Sequence, residues 1–190
     1  QRTQPPPGGV PVSPLPIRQD EATLAGYQRD VSGLVGHAAA AVRARDVADV
    51  ADAIAWARGR DLSVLPVGAQ TSTTGASVAQ GGLILDLTGL DHPPELDETR
   101  SRVRVSPGTT VQALRDWLQA RGHDLPVDPT SASDCTIGGA IATNASGPAS
   151  FRYGAMASWV LGVELIDGCG RSHALRRREV GKCALGPPKD

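Results

Sequence analysis

An excess of charge of either sign is missing from this chain: 19 Lys and Arg stand against 20 Asp and Glu, a formal net charge of -1 over 190 residues. Without such a field there is nothing to gather a polyanion, so nucleic acid and anionic membrane are not expected partners. Cysteine is scarce. Cys135, Cys169 and Cys183 are odd in number and form no C-x-x-C pair, which argues against a disulfide framework or a thiolate zinc site and fits a reducing compartment. The four histidines, His37, His92, His123 and His173, are scattered without metal-ligand spacing, so no metal is expected. No apolar run is long enough to span a bilayer, and the N-terminus has no basic-then-apolar pattern. The expectation is a cytoplasmic protein without a transmembrane segment.

What the chain does have is enough length to bury a core in one or two small domains. Residues 1–16 carry six prolines with little to bury and read as a flexible Pro-rich arm. Residues 39–44 read as a strand, Asp46 as the cap of a helix over 47–60 with Val47, Val50, Ala51 and Ile54 on one face, and 62–67 as the next strand. Strand, helix and strand with short joints make a parallel crossover unit, and 83–87 adds a third strand before Pro93-Pro94 closes the subdomain. A second subdomain follows: a strand over 102–105, a helix capped by Thr109 with Val111, Leu114 and Leu118 inward, a short helix around 137–142, and a hairpin of 159–166 and 171–175 turning at Asp167-Gly168. The divisions read from this are an arm over 1–16, subdomains over 17–94 and 95–175, and a tail over 176–190. The tail opens on the solvated charge run Arg176-Arg177-Arg178, and no element is completed after the hairpin.

Two stretches carry ligand chemistry. In Pro66-Val67-Gly68-Ala69-Gln70-Thr71-Ser72-Thr73-Thr74-Gly75 small residues let the backbone turn with its N–H groups inward, hydroxyls add donors, and no acidic side chain repels an anion. It has neither the lysine of a P-loop nor the three glycines of a dinucleotide fingerprint. By itself the stretch is open to two readings, a phosphate cradle or a polar loop between strands. The second is Pro129-Thr130-Ser131, Cys135-Thr136-Ile137-Gly138-Gly139 and Ala142-Thr143-Asn144-Ala145-Ser146-Gly147, either a glycine-rich turn or the other wall of a cleft for an elongated cofactor with a diphosphate centre.

In this order, with Pro107-Gly108-Thr109 between them, Arg152-Tyr153-Gly154 after them and Tyr27-Gln28-Arg29-Asp30 through Gly36 before them, these motifs resemble the PCMH-type FAD-binding domain of the vanillyl-alcohol oxidase superfamily. Within it they are most similar to the FAD-linked oxidase branch that contains glycolate oxidase and the D-lactate dehydrogenases. The resemblance implies an α+β fold of two small subdomains, a βαβ parallel unit and a mixed or antiparallel sheet with helices, with FAD between them. It implies that Gly68, Ala69, Gln70, Thr71 and Ser72 hold the pyrophosphate, next to Pro66, Ala76 and Ser77. Pro129, Thr130, Ser131, Gly138, Gly139, Thr143 and Ser146 would line the remainder, and Val163 the adenosine end. No histidine lies in the first loop and Cys135 reads as packed beside the ligand, so FAD is expected to be non-covalent. The implied activity is oxidation of an organic 2-hydroxy acid by hydride transfer to the flavin. A non-redox flavin enzyme of the ether-lipid synthase type and a non-catalytic flavin-binding or interaction module stay open beside it. The family's substrate-binding cap has no counterpart here, so the chain resembles an N-terminal fragment. A homo-oligomer or a completing C-terminal chain is the expected partner, and no catalytic base can be named. Arg152 reads as internally paired and Tyr153 as packed, and Trp56, Trp117 and Trp159 as packing residues.

Overall fold

Residues 15–177 are described by the structure, a computed structural model. Leu15 and Ile17 pack against the first core cluster, and Arg18 exchanges backbone hydrogen bonds of 2.8 Å with Ala41. The expected arm is thus anchored where it is described, and its residues 1–14 lie outside the described part, as do residues 178–190 of the expected tail. Helix α1 (Glu21–Ala25), which the sequence pattern does not predict, starts at Asp20, whose carboxylate accepts from the Thr23 hydroxyl and N–H at 2.8 and 3.0 Å. Those donors, joined by Arg18, hold the Asp20 pKa down at about 2.

Strand β1 (Ala40–Arg43), helix α2 (Val47–Arg58), strand β2 (Val64–Val67) and strand β3 (Leu83–Asp86) form the parallel unit. Helix α2 starts where expected because Asp46 accepts from the Asp49 N–H at 2.8 Å. Asp49 reaches back in turn, accepting from the Arg45 N–H at 2.8 Å and from its guanidinium at 2.8 and 3.0 Å. With Asp49 buried, Val47, about 200° away around the helix, points to solvent at 62% exposure rather than inward. The buried stripe is Val50, Ala53, Ile54 and Ala57, and Ala51 is only half-buried.

The strand order is β1-β3-β2, so Ala41 and Leu65 both flank Ile84. The first ligand loop thus leaves an edge strand, β2, on which only Val67 is buried, whereas every residue of the central β3 is. Alternation sends Ala40, Val42, Leu83 and Leu85 toward α2, and Ala41, Val67 and Ile84 to the opposite face with Ala79. Each fully buried Leu or Ile there stabilises the sheet by roughly 1.5–3 kcal/mol.

Strands β4 (Glu95–Asp97) and β5 (Arg102–Arg104) pair antiparallel, and β4 is another element absent from the sequence reading. Helix α3 (Val111–Gln119) buries Val111, Leu114 and Leu118 as its spacing predicts. Its cap is Thr110, which accepts from the Ala113 N–H at 3.1 Å, because the hydroxyl of Thr109 is already committed to Asp91 at 2.6 Å. Helix α4 (Ile137–Ala142) lies where expected, and a further short helix α5 (Ser150–Tyr153) follows. A 3₁₀ turn over Met156–Ser158, closed by the Trp159 N–H on the Met156 carbonyl at 3.0 Å, delays the next strand. Trp159 is therefore not a strand residue. Strand β6 (Gly162–Ile166) pairs antiparallel with β7 (Ser172–Arg176) through a turn longer than Asp167-Gly168, in which the Asp167 carboxylate accepts from the N–H groups of Cys169 and Arg171. Val111, Leu114, Leu118, Val127, Cys135, Ile137, Ala140 and Met156 form the core beneath this half.

Candidate functional site

Leaving β2 at Val67, the chain enters a loop whose backbone is unusual in its hydrogen bonding. Among the described residues, no carbonyl or side chain accepts from the N–H groups of Gly68, Ala69, Gln70, Thr71 or Ser72. Residues 68–72 are half-buried or exposed, so water can take these N–H groups, and successive donors of this kind can be shared by an anion. Gly68 is required by what lies opposite: a Cβ there would stand 2.3 Å from the Thr136 hydroxyl oxygen. Thr136 is the cap of α4 and is buried. The loop and α4 therefore meet, so the two stretches singled out in the sequence lie against each other.

Four contacts hold the loop. Gln70, with φ at 55°, donates through Nε2 to the Arg29 carbonyl at 2.9 Å. The Ser72 hydroxyl accepts from the N–H groups of Thr74 and Ala76, both at 3.2 Å, which occupies the Ala76 amide within the loop itself. Ser77 is buried and directs its N–H and hydroxyl to the Asp30 carboxylate, each at 3.4 Å. Gly75, with φ at 79°, has the Leu34 side chain where a Cβ would be. The segment 27–36 thus lies along the loop, and Tyr27 pins it to the sheet through a 2.8 Å bond from its hydroxyl to Asp86, at the end of β3. Burial and that carboxylate push the Tyr27 hydroxyl up to about 12. Burial also pushes the Asp30 carboxyl up, but bonds from Ser32 and Ser77 outweigh it and leave Asp30 below the usual range.

On the facing wall, the N–H of Val111 donates to the Cys135 carbonyl at 3.0 Å and that of Ile137 to the Thr109 carbonyl at 2.8 Å, which ties together the starts of α3 and α4. Gly138 is spent on packing: its N–H donates to the Pro107 carbonyl at 2.9 Å and a Cβ would lie 2.8 Å from that of Pro107. Gly139 is open, with only the Thr136 hydroxyl, at 3.2 Å, near a Cβ. Pro129 is buried, Ser131 half-buried, and Thr130, Thr143 and Ser146 exposed. The Thr143 hydroxyl donates to the Gly139 carbonyl at 2.9 Å. Asp128 accepts from the Ala149 N–H at 3.0 Å and fixes the turn that follows. Pro66, on the edge strand, is exposed. Val163 is paired with Leu175 on the hairpin, and the contacts that join the two loops do not include it.

Thr136 and Asp30 make these contacts although the sequence reading, which includes both in its motifs, gives neither a role. Each had a local signal: a threonine directly before a short apolar helix is a cap, and Asp-Val-Ser is an Asx-turn pattern. Cys135 is buried and its thiol pushed up by burial, the state of an inert structural cysteine. The Arg152 guanidinium lies 5.2 Å from the Tyr153 ring centre, and the Tyr153 carbonyl accepts from the Trp159 indole at 3.1 Å. Trp56 and Trp117 stack under Arg60 and Arg121 in the same manner. A cleft of about 280 Å³ lies elsewhere, between Asp91, Pro94, Thr109 and Trp117. The donors of the loop, rather than an enclosed cavity, define the site. Among the described residues there is no cluster of groups suited to a metal ion and no helix long and apolar enough to cross a membrane.

A donor row of this kind, backed by glycine and free of cations, suits the neutral hydrogen bonding of a diphosphate. A family model described as an FAD binding domain matches residues 38–176. The chain is 31% identical over 161 residues to a D-2-hydroxyglutarate dehydrogenase of Xanthomonas citri pv. viticola, covering 84% of this chain and 34% of that one. It is 34% identical over 128 residues to a probable mitochondrial D-lactate dehydrogenase of Danio rerio, covering 66% and 25%. Among solved structures, 6-hydroxy-D-nicotine oxidase from Arthrobacter nicotinovorans superposes with a TM-score of 0.73 at 19% identity, over 86% of this chain and 36% of that one. An alkyldihydroxyacetonephosphate synthase superposes with 0.74 at 18%, over 88% and 33%. The chain spans about a third of the length of the first of these relatives.

Proposed function

The chain belongs to the FAD binding domain family, and from that premise we propose that it is the flavin-holding part of an oxidoreductase acting on a 2-hydroxy acid. The observation that carries this reading is that the N–H groups of residues 68–72 have no acceptor among the described residues, in a loop whose Gly68 lies against Thr136 at the start of α4. FAD, when bound, supplies a two-electron acceptor for the hydride of the substrate's carbinol carbon. The work of this chain is placement. The amides of Gly68, Ala69, Gln70, Thr71 and Ser72 donate to the diphosphate oxygens, with Pro66, Ala76 and Ser77 beside them. Open backbone at Gly139 lets the cofactor approach α4. Pro129, Thr130, Ser131, Gly138, Thr143 and Ser146 line that wall, and Val163 stands toward the adenosine end.

Attachment is non-covalent in this reading, since the loop has no histidine and, among the described residues, the cysteine beside the facing wall has a buried thiol with a raised pKa. The two relatives by sequence cited above are named dehydrogenases of 2-hydroxy acids, which favours that substrate class over the chemistry of the synthase, whose likeness is one of fold. Subdomains over 17–94 and 95–175 are supported by separate buried clusters, one of residues between 40 and 90 and one of residues between 111 and 156, with Ile166 packing across onto the first. Cys135 and Cys169 as free thiols support a reducing, cytoplasmic setting. The exposed Phe151, Leu161 and Leu175 support a further protein surface against this half, from a second copy or a completing chain.

The test is an absorbance scan of the chain loaded with FAD, freed of excess and precipitated with acid. Yellow colour retained by the native protein and released to the supernatant is the expected result. Colour left in the pellet overturns the non-covalent reading, and a colourless native protein overturns the site. The Gly68→Ala variant, whose Cβ collides with Thr136, is expected to retain less than about a tenth of the bound flavin.

A further inference from the structure

Gln70 is an unusual residue to find at φ 55°. Glycine enters that region freely, and Asn and Asp are tolerated through short side chains that bond locally, but glutamine has neither advantage. What holds it is distant in sequence: Nε2 donates to the Arg29 carbonyl at 2.9 Å. That carbonyl is itself a fixed point. Arg29 bridges to Val35, the Gly36 N–H donates to the Gln28 carbonyl at 2.8 Å, and the Tyr27 hydroxyl is anchored on Asp86 at 2.8 Å. Beyond the segment, the His37 N–H donates to the Ala79 carbonyl at 2.9 Å. The loop's one left-handed non-glycine residue is thus tied to a segment that is itself bonded to the sheet through Tyr27. It sits in the middle of the unpaired N–H row, and a left-handed residue among ordinary ones is what curves such a row into an anion-binding concavity.

We infer that Gln70 is a positioning residue for the flavin diphosphate, its side-chain amide holding the backbone in the conformation that turns the amides of residues 68–72 to one side, so that the segment 28–36 sets cofactor affinity. The inference rests on the placement of FAD proposed above. It assigns to the Gln70 side chain a task separate from the donation by its own amide.

The test compares the full chain with its Gln70→Leu and Gln70→Gly variants. Leucine removes the tether and keeps the size, whereas glycine removes the tether and frees the backbone. Affinities for FAD and for ADP, which carries the diphosphate without the isoalloxazine, are measured by titration calorimetry, together with the melting temperature of the cofactor-free chain and the absorbance spectrum at saturating FAD. In Q70L both affinities are expected to fall by the same factor, roughly tenfold, with the melting temperature and saturated spectrum unchanged. In Q70G they fall in the same direction by less. FAD affinity equal to that of the unsubstituted chain in both variants overturns the inference. A saturated spectrum that shifts along with the affinity also overturns it, since that marks general damage reaching the isoalloxazine. If Q70L does not fold, Q70G decides alone, and an unchanged affinity there overturns the tether. Failure of the unsubstituted chain to bind either FAD or ADP is a separate result: it overturns the site first, and this inference with it.

Discussion

At the scale of single residues, Asp49 shows how a buried charge is made tolerable and what that implies for pH. Its carboxylate is only 1% exposed, yet it accepts from the Arg45 backbone and guanidinium. Bonds from Arg45 hold it below its usual 3.8, against the opposing effect of burial. A group with a depressed folded pKa contributes stability that is present above the unfolded value and is lost as pH falls through the folded one. The Asp49→Asn variant is therefore expected to be less stable near neutrality by about 1–2 kcal/mol. Little of this is Coulombic, because the Arg45 side chain is half exposed. Urea midpoints of parent and D49N should converge as pH drops below 3.8. A gap that stays constant down to the folded pKa counts against the assignment.

At the scale of elements, the adjacent glycines at the start of α4 differ in their neighbours. Gly138 has Pro107 where a Cβ would go, with contacts of 2.8 and 3.1 Å, and Gly139 has only a hydroxyl at 3.2 Å. Gly138→Ala is expected to cost about 1–3 kcal/mol through overpacking against a backbone that cannot yield. Gly139→Ala is expected to leave the cofactor-free fold near its parent stability, offset by helix propensity, while weakening FAD several-fold. Thermal melts with and without FAD separate the two, and equal losses in both variants would contradict the geometry. The sequence announces α4 and the amphipathic α3 because their signals are local: a threonine cap, and apolar residues at helical spacing. Elements α1, α5 and β4 are three to five residues long, too short for a periodic pattern, and are held by particular bonds. The inward reading of Val47 failed for a related reason, since spacing alone does not reveal that Asp49 can be buried once Arg45 pairs with it.

At the scale of the whole molecule, the ligand loop grows from the first sheet and α4 from the core of the second half, and they touch at Gly68 and Thr136. A cofactor seated on both ties the stability of one half to that of the other. At free FAD about 100 times its dissociation constant the gain is expected to be ~2.7 kcal/mol, and a calorimetric scan should show one transition moving upward. Two transitions of which one stays in place would mean that the flavin is held by a single half. That both stretches carry ligand chemistry was legible in their small residues and hydroxyls. That they face each other was one of two readings the residues left open, and the sheet order, which puts β3 at the centre, was not legible in the sequence pattern. The strand at the centre of the sheet comes last in the chain, so β1 and β2 have no ladder to join until residues 83–86 are present. During synthesis, a nascent chain that has emerged only as far as Gly75 carries two strand edges and the apolar stripe of α2 uncovered, and its cooperative folding must wait for the few residues of β3.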